Sequence, residues 1–280
     1  MGRGSMRRAG GTMLATCLLA GTLVVALATP GISGTRHGVF WLKCAYSHSA
    51  PDDPITKPGL AGGSHLHDFF GNRSTGADST DGTMLASTTT CGVGSDTAGY
   101  WFPALLRADG TVVEARTMHV YYWGVVGATE AYPQDFKLVA GATVGTPMGY
   151  HMYYFCRGTQ GVHYTTLPDC GTDLVRDHVE FPSCWDGSTS YDSTGHVAYP
   201  IPGTDDCPAS NPRHLPRLIL HVTWSIRDAS NARLASDGPD AVPGSTLHAD
   251  FWNTWKQQRL EELVATCINA DASCRNLREA

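Results

Sequence analysis

Short strand-length runs rich in apolar residues, separated by Gly, Pro, Asp and Ser, recur along most of this 280-residue chain. Residues 39–46, 100–106, 111–114, 118–123, 137–140, 151–156, 178–181 and 218–226 are each the length of a strand. Alternation at period two puts every second side chain on one face of a sheet. Ala108-Asp109-Gly110-Thr111 reads as a hairpin turn between two of these runs. Many short strands at turn-marked spacing predict a mainly β fold, a sandwich or jelly-roll-like single domain with long loops. A C-terminal α-helix is predicted where Phe251, Trp255, Leu260, Leu263, Val264 and Cys267 recur at approximately helical spacing, with Asp250 at the N-cap position. Residues 93–98 and 186–212 show neither period and read as loops, the kind of segment that often carries a binding site.

The N-terminus changes the picture from any β protein to an exported one. Arg3, Arg7 and Arg8 precede an apolar run over residues 13–27, and Ala26-Leu27-Ala28 fits the small-x-small cleavage rule. A signal peptide is predicted over 1–28 and a single exported domain over 29–280, which makes the protein secreted and extracellular. The alternative is a retained anchor, but the run is short for a membrane span, so no stable membrane anchor is expected. Arg7-Arg8 is a weak twin-arginine signal, and Cys17 lies inside the apolar run, where a lipidation site does not belong.

Cleavage would remove Cys17 and leave Cys44, Cys91, Cys156, Cys170, Cys184, Cys207, Cys267 and Cys274. An even number in an exported chain predicts a disulfide framework. Cys267 and Cys274 are expected to close a small local loop. Cys44 and Cys91 offer a second pair, and the middle four would then pair among themselves. No CxxC pair is present, so zinc-ribbon and thioredoxin-like motifs are not supported. Lys and Arg number 20 against 26 Asp and Glu; the signal takes three of the arginines, leaving 17 bases and a charge of −9. No nucleic-acid partner is expected from that balance.

The chemistry concentrates in two short clusters nearly two hundred residues apart. One is Gly62-Gly63-Ser64-His65-Leu66-His67-Asp68-Phe69-Phe70-Gly71-Asn72, the other Leu247-His248-Ala249-Asp250-Phe251. On a strand, His65 and His67 project together, as do His248 and Asp250. Flanked by Leu66, Phe69, Phe70, Leu247 and Phe251, they would be drawn inward, where unpaired polar groups are costly. All four are therefore expected in one pocket. Two or three histidines with a carboxylate suit a divalent metal ion; the alternative is a polar network tying the fold together.

Acid–base catalysis on polysaccharide is the other use of such residues, with His65, His67, Asp68, His248 and Asp250 as the catalytic candidates. A glycoside hydrolase needs two carboxylates, for which Asp68, Asp186 and Asp250 are available. A lyase needs a base beside a carboxylate-bearing sugar, a task for His65 or His67 with Tyr100. Tyr100, Trp101, Trp185, Asp186, His196 and Tyr199 are the candidate substrate contacts, from aromatic surfaces and hydroxyl-binding groups. Neither a Gly-x-Ser-x-Gly elbow nor a P-loop or dinucleotide fingerprint occurs.

Several segments together resemble a known family. They are Ser64-His65-Leu66-His67-Asp68-Phe69-Phe70-Gly71-Asn72, Thr89-Thr90-Cys91, Gly99-Tyr100-Trp101-Phe102-Pro103-Ala104-Leu105, Val120-Tyr121-Tyr122 and Phe181-Pro182-Ser183-Cys184-Trp185-Asp186-Gly187. His196-Val197-Ala198-Tyr199-Pro200, Cys207-Pro208 and His248-Ala249-Asp250-Phe251 follow in order. The chain resembles the domain-of-unknown-function family numbered nineteen ninety-six, of fungal and actinobacterial exported proteins, over about residues 40–267. It departs from that pattern at Ser193, Asn211 and His221. The resemblance implies export and brings no established activity. The expected function is carbohydrate-associated, a polysaccharide hydrolase or lyase acting on a cell-wall or other glycan. The rival is a non-catalytic carbohydrate- or wall-binding module with a structural His/Asp network.

Overall fold

The longest strand belongs to two sheets at once. The computed structural model describes residues 1–2 and 38–279, apart from 126, 143–144, 160 and 189–195. Its principal strands are β1 (Val39–Ala50), β2 (His67–Gly71), β3 (Gly99–Pro103), β4 (Ala115–Trp123), β5 (Lys137–Gly141), β6 (Met152–Cys156), β7 (Val175–Glu180), β8 (Arg217–Trp224) and β9 (His248–Trp252). The first half of β1 pairs antiparallel with β4, from Val39 opposite Trp123 to Ala45 opposite Thr117. Past an irregularity between Tyr46 and His48, its second half pairs with β2. The strand order is β5-β9-β3-β2-β1-β4-β8-β7-β6, and β5 approaches β7 so that the sheet nearly closes. The chain divides into two units, residues 1–34 and 35–280, and the β structure belongs to the second.

β1 thus joins a first sheet, β5-β9-β3-β2, to a second, β4-β8-β7-β6, and both bury one face in a common core. Phe40 and Leu42 of β1, Met118, Val120 and Tyr122 of β4, and Leu218, Leu220 and Val222 of β8 line one side. Phe70, Tyr100, Phe102, Ala249 and Phe251 line the other. Phe40 stacks on Tyr122 at 4.5 Å, and Tyr100 on Phe251 at 5.4 Å. Several polar groups inside are partnered, as burial demands: Tyr122 Oη lies 2.7 Å from that of Tyr100 and accepts from Trp255 Nε1. Asp177 accepts from the Val222 amide and from Trp224 Nε1.

The outer faces differ. On the first sheet, Phe69, Trp101, Val139 and Trp252 form a second apolar cluster under Ile55 and Met84, so β2, β3 and β9 are buried along their whole length. On the second sheet, β4 and most of β8 alternate buried with half-exposed residues, the signature of a sheet with one wet face.

β1 and β3 to β8 coincide with predicted runs; residues 111–114 do not form a strand, and only Val112 bridges back to Leu106 across the Asp109-Gly110 turn. β2, β3 and β9 are buried on both faces and show no alternation, and of these only β3 falls within a predicted run. The C-terminal helix begins at Gln257, runs to Leu263 as α1, and continues as a π-helical turn over Val264–Ile268. Asp250 is therefore not an N-cap: it sits in the middle of β9, paired with Trp101 on one side and Val139 on the other. Central pairing on both sides outweighs the helical spacing of Phe251 and Trp255. The signal segment expected over 1–28 lies outside the described residues except for Met1 and Gly2. No helix among the described residues is long and apolar enough to cross a membrane.

Four disulfides join Cys44 to Cys91, Cys156 to Cys170, Cys184 to Cys207 and Cys267 to Cys274. The pairs closed locally and across β1 are those expected from spacing. A cross-link restricts the unfolded chain in proportion to the logarithm of the loop that it closes. Cys44–Cys91 spans a separation of 47 and Cys267–Cys274 one of 7. Replacing the first pair by alanine is expected to lower the unfolding free energy by ~4 kcal/mol, and the second by ~2 kcal/mol. Denaturant unfolding of the two variants measures both losses. The reverse order would contradict this account of what the cross-links do.

Candidate metal centre

The segment between β1 and β2 is folded by two aspartates. Asp52 accepts from the amides of Gly62 and Ala77 through its carboxylate, and its carbonyl accepts from His67 Nδ1 at 2.9 Å. Asp53 accepts from the amides of Ile55 and Thr56, the local turn chemistry expected of Asp. Gly62, at a φ of 72°, turns the chain back so that Ser64 bonds to the Pro51 carbonyl. His65 is thereby laid beside His67, the first residue of β2, with ring centres 4.1 Å apart.

His248, the first residue of β9, completes the group. Its ring centre lies 5.1 Å from that of His65 and 5.7 Å from that of His67. A Cβ on Gly141, opposite it on β5, would lie 2.4 Å from the His248 Cα, and Gly141 has a φ of 137°. Glycine is required there for the two backbones to approach. His248 Nδ1 donates to the Thr246 carbonyl at 2.8 Å. Asp237 holds that segment by accepting from the Gly244 amide and the Thr246 hydroxyl.

One ligand atom from each of His65, His67 and His248 lies within 4.8 Å of the other two. A carbonyl can only accept, so the two Nδ1 bonds fix the tautomers of His67 and His248 and leave Nε2 of each ring free to ligate. Metal-binding histidines are oriented in this way by carbonyl partners. Nε2 of His65 and of His67 is buried without a hydrogen-bond partner. Burial lowers the pKa of His65 against the opposing field of Asp53, holds His67 well below 6.5 and brings His248 to about 4. All three rings are neutral at pH 7, the form that binds metal.

Asp250 stands one row further along the same face of β9, outside the set of atoms within 4.8 Å. Both its oxygens and Nε1 of neighbouring Trp101 are buried and unpartnered, and burial raises its pKa well above the ordinary range. Asp68 lies on the opposite face of β2 with Phe70, accepting from Ser49; burial raises its carboxyl to about 6. The sheet separates it from the histidines, so it does not join them.

Two of the six residues offered as substrate contacts lie in the core. Tyr100 is a core residue bonded to Asp96 and Tyr122, and Trp101 is enclosed against Phe69. Both are fully buried, so neither presents a platform. Trp185 packs edge-on to Phe136 beneath Arg213. Asp186 and His196 are hydrogen-bonded at 2.7 Å on a partly exposed turn. Tyr199 stacks on His151 and donates to the Glu180 carbonyl.

A different set, of which the sequence marked only His221 as a departure from the family pattern, occupies the wet face of the second sheet. Lys43, His119, His221, His178 and Tyr153 stand side by side across β1, β4, β8, β7 and β6. His178 Nδ1 and His221 Nε2 lie 2.7 Å apart. His119 Nδ1 accepts from the Tyr121 hydroxyl and from Arg176. The signal was available: His119, Tyr121 and Trp123 alternate with buried Met118, Val120 and Tyr122, as Arg217, Ile219 and His221 do with Leu218, Leu220 and Val222.

The fold and the histidine cluster define a disulfide-bonded β protein with the donor set of a metal centre. The chain belongs to the family described as a domain of unknown function (DUF1996), whose model matches residues 53–255. That span contains all three histidines. No curated protein and no solved structure matches the chain.

The reassignment of Tyr100 to the core has a consequence that pH reveals. Burial pushes the Asp96 carboxyl up to about 8, against the lowering effect of its bonds from Tyr100 and Ala98. A carboxyl raised in the folded state binds its proton more tightly there than in the unfolded chain. Its contribution to stability is therefore full below 3.8 and lost as pH rises towards 8. Asp96→Asn keeps the acceptor and removes the titration. Calorimetry is expected to show the Tm of the variant gaining on that of the native protein between pH 4 and pH 8. A constant difference across that range would contradict the buried, protonated Asp96.

Proposed function

We propose that this is an exported metalloprotein in which His65, His67 and His248 bind one divalent transition-metal ion. The observation that carries it is the convergence of three neutral imidazole donors within 4.8 Å, His67 and His248 buried and His65 half-buried, with the Nε2 atoms of His65 and His67 buried and unpartnered. Buried polar atoms without partners are costly, and an ion accepting their lone pairs offsets that cost. Three histidines are the donor set of catalytic rather than closed structural zinc sites, which leaves a coordination position for water or substrate. An ion so held would act as a Lewis acid and lower the pKa of a bound water. The four disulfides and the signal-like N-terminus support export.

A second reading is a role on polysaccharide, as hydrolase, lyase or binding module. One observation favours it. The half-exposed outer face of the second sheet carries Trp41, Tyr121, Trp123 and Tyr153, aromatic rings available to outside ligands rather than spent in the core.

Zinc is the first ion to test. After equilibration with zinc and removal of excess, the purified protein is expected to retain about one ion per chain by elemental analysis. Zinc at a hundredfold above Kd should stabilise the fold by about 2.7 kcal/mol. His67→Ala and His248→Ala should lose both the ion and the stabilisation. Native protein that gains neither from zinc, copper, nickel nor cobalt would overturn the metalloprotein reading.

A further inference from the structure

The second sheet's outer face is a trough with an unusual charge balance. Along β8 the outward positions run from Thr223 through His221 and Ile219 to Arg217, about 20 Å at the rise of a strand. Two hollows lie end to end along it. One, of about 350 Å³, is walled by Tyr121, Trp123, Tyr153 and Arg217. The other, of about 290 Å³, is walled by Lys43, His119 and Arg176, with Arg116 and Arg157 at its margin. Glu180 is the one acid among the outward residues described on these strands, and Asp205 reaches Arg217 from the rim at 3.6 Å. The chain as a whole is acidic, with 26 acids to 20 bases. This face therefore concentrates cations against the trend of the protein.

The arginines carry a second observation. Arg176 is 6 % exposed, yet its Nε is buried without a hydrogen-bond partner, and so is the Nε of Arg217. Arg176 spends its Nη2 on a neutral histidine, His119, rather than on a carboxylate. A guanidinium presents a planar fork matched to a carboxylate, and leaving part of that fork unused in a buried site is costly. Each hollow thus holds one arginine with an unsatisfied donor, and the hollow with Arg217 adds three aromatic rings. Rings pack on the apolar faces of sugars, while forks take carboxylates.

Resting on the polysaccharide reading, and naming its ligand class, we infer that this trough binds an acidic polysaccharide, with Arg176 and Arg217 taking uronate carboxylates and Tyr121, Trp123 and Tyr153 the sugar faces. Nucleic acid is a poorer match, because the cations are few and the chain as a whole is acidic.

Affinity electrophoresis and calorimetry of the full chain with polygalacturonate, alginate and glucuronan test this. Carboxyl-reduced polygalacturonate serves as the neutral twin and polyphosphate as a polyanion without sugar. At least one polyuronate is expected to bind, with affinity falling as salt rises. Arg217→Gln is expected to weaken that binding tenfold or more, and Tyr121→Ala similarly, with native circular dichroism and Tm retained. Arg176→Gln gives the same result if it folds. Equal binding of the reduced twin would overturn the acidic class and leave the polysaccharide reading standing. Equal binding of polyphosphate would mark a bare anion site and overturn the proposal. Binding unchanged in both Arg217→Gln and Tyr121→Ala would remove the ligand from the trough. No binding to any saccharide would overturn the polysaccharide reading as well.

Discussion

The sharing of β1 between two sheets is the constraint on which the rest of the structure depends. One strand serves two sheets, so each sheet must turn one face to the same core, and period-two alternation then dictates what the other face carries. Phe40, Leu42 and Cys44 point inward with the neighbouring rows, which sends Trp41 and Lys43 to the wet face of the second sheet. In β2, Phe70 turns to the core, which sends His67 and Phe69 to the far face of the first sheet. The two surfaces with chemical character are consequences of the same geometry.

They solve opposite problems. The histidine cluster is a polar group on the covered outer face of the first sheet, with the His67 ring 6.2 Å from that of Phe69. Its order comes from backbone carbonyls of Asp52 and Thr246, not from acidic side chains, which leaves the rings neutral and their other nitrogens unused. The trough is a partly wet surface on which cations and aromatic rings alternate with little acid to neutralise them. Neutral, largely buried donors suit an ion; a long, open, charged surface suits a polymer. Nothing requires the two to act together, and they lie on different sheets.

Much of the fold was legible where one face of a strand is wet. The alternation of β4 and β8 could be read because water on one side forces polar residues there. β2 and β9 stood outside the predicted runs; only the two-residue spacing of their polar groups suggested strands, and for Asp250 the helix-like spacing of Phe251 and Trp255 competed with it. The convergence of His65, His67 and His248 could be argued in advance, because polar residues in apolar company must find partners. Asp250 shares their face but not their contact set, a distinction of one strand row that spacing cannot resolve. Asp68 illustrates the limit from the other side: adjacent to His67 in sequence, it is separated from it by the sheet. The aromatic residues misled most, since Tyr100 and Trp101 are core and the exposed rings lie on strands whose histidines belonged to no recognisable motif.

The central claim is that three histidines from two distant segments form one metal centre, and crystallography with anomalous scattering tests it most directly. Crystals grown with zinc, measured on both sides of the zinc absorption edge, should show one strong anomalous peak per chain. Bonds of about 2.0–2.1 Å to Nε2 of His67 and His248 and to a ring nitrogen of His65 are expected. A peak elsewhere, or density for an ordered water network in place of an ion at full zinc occupancy of the crystal, would contradict it.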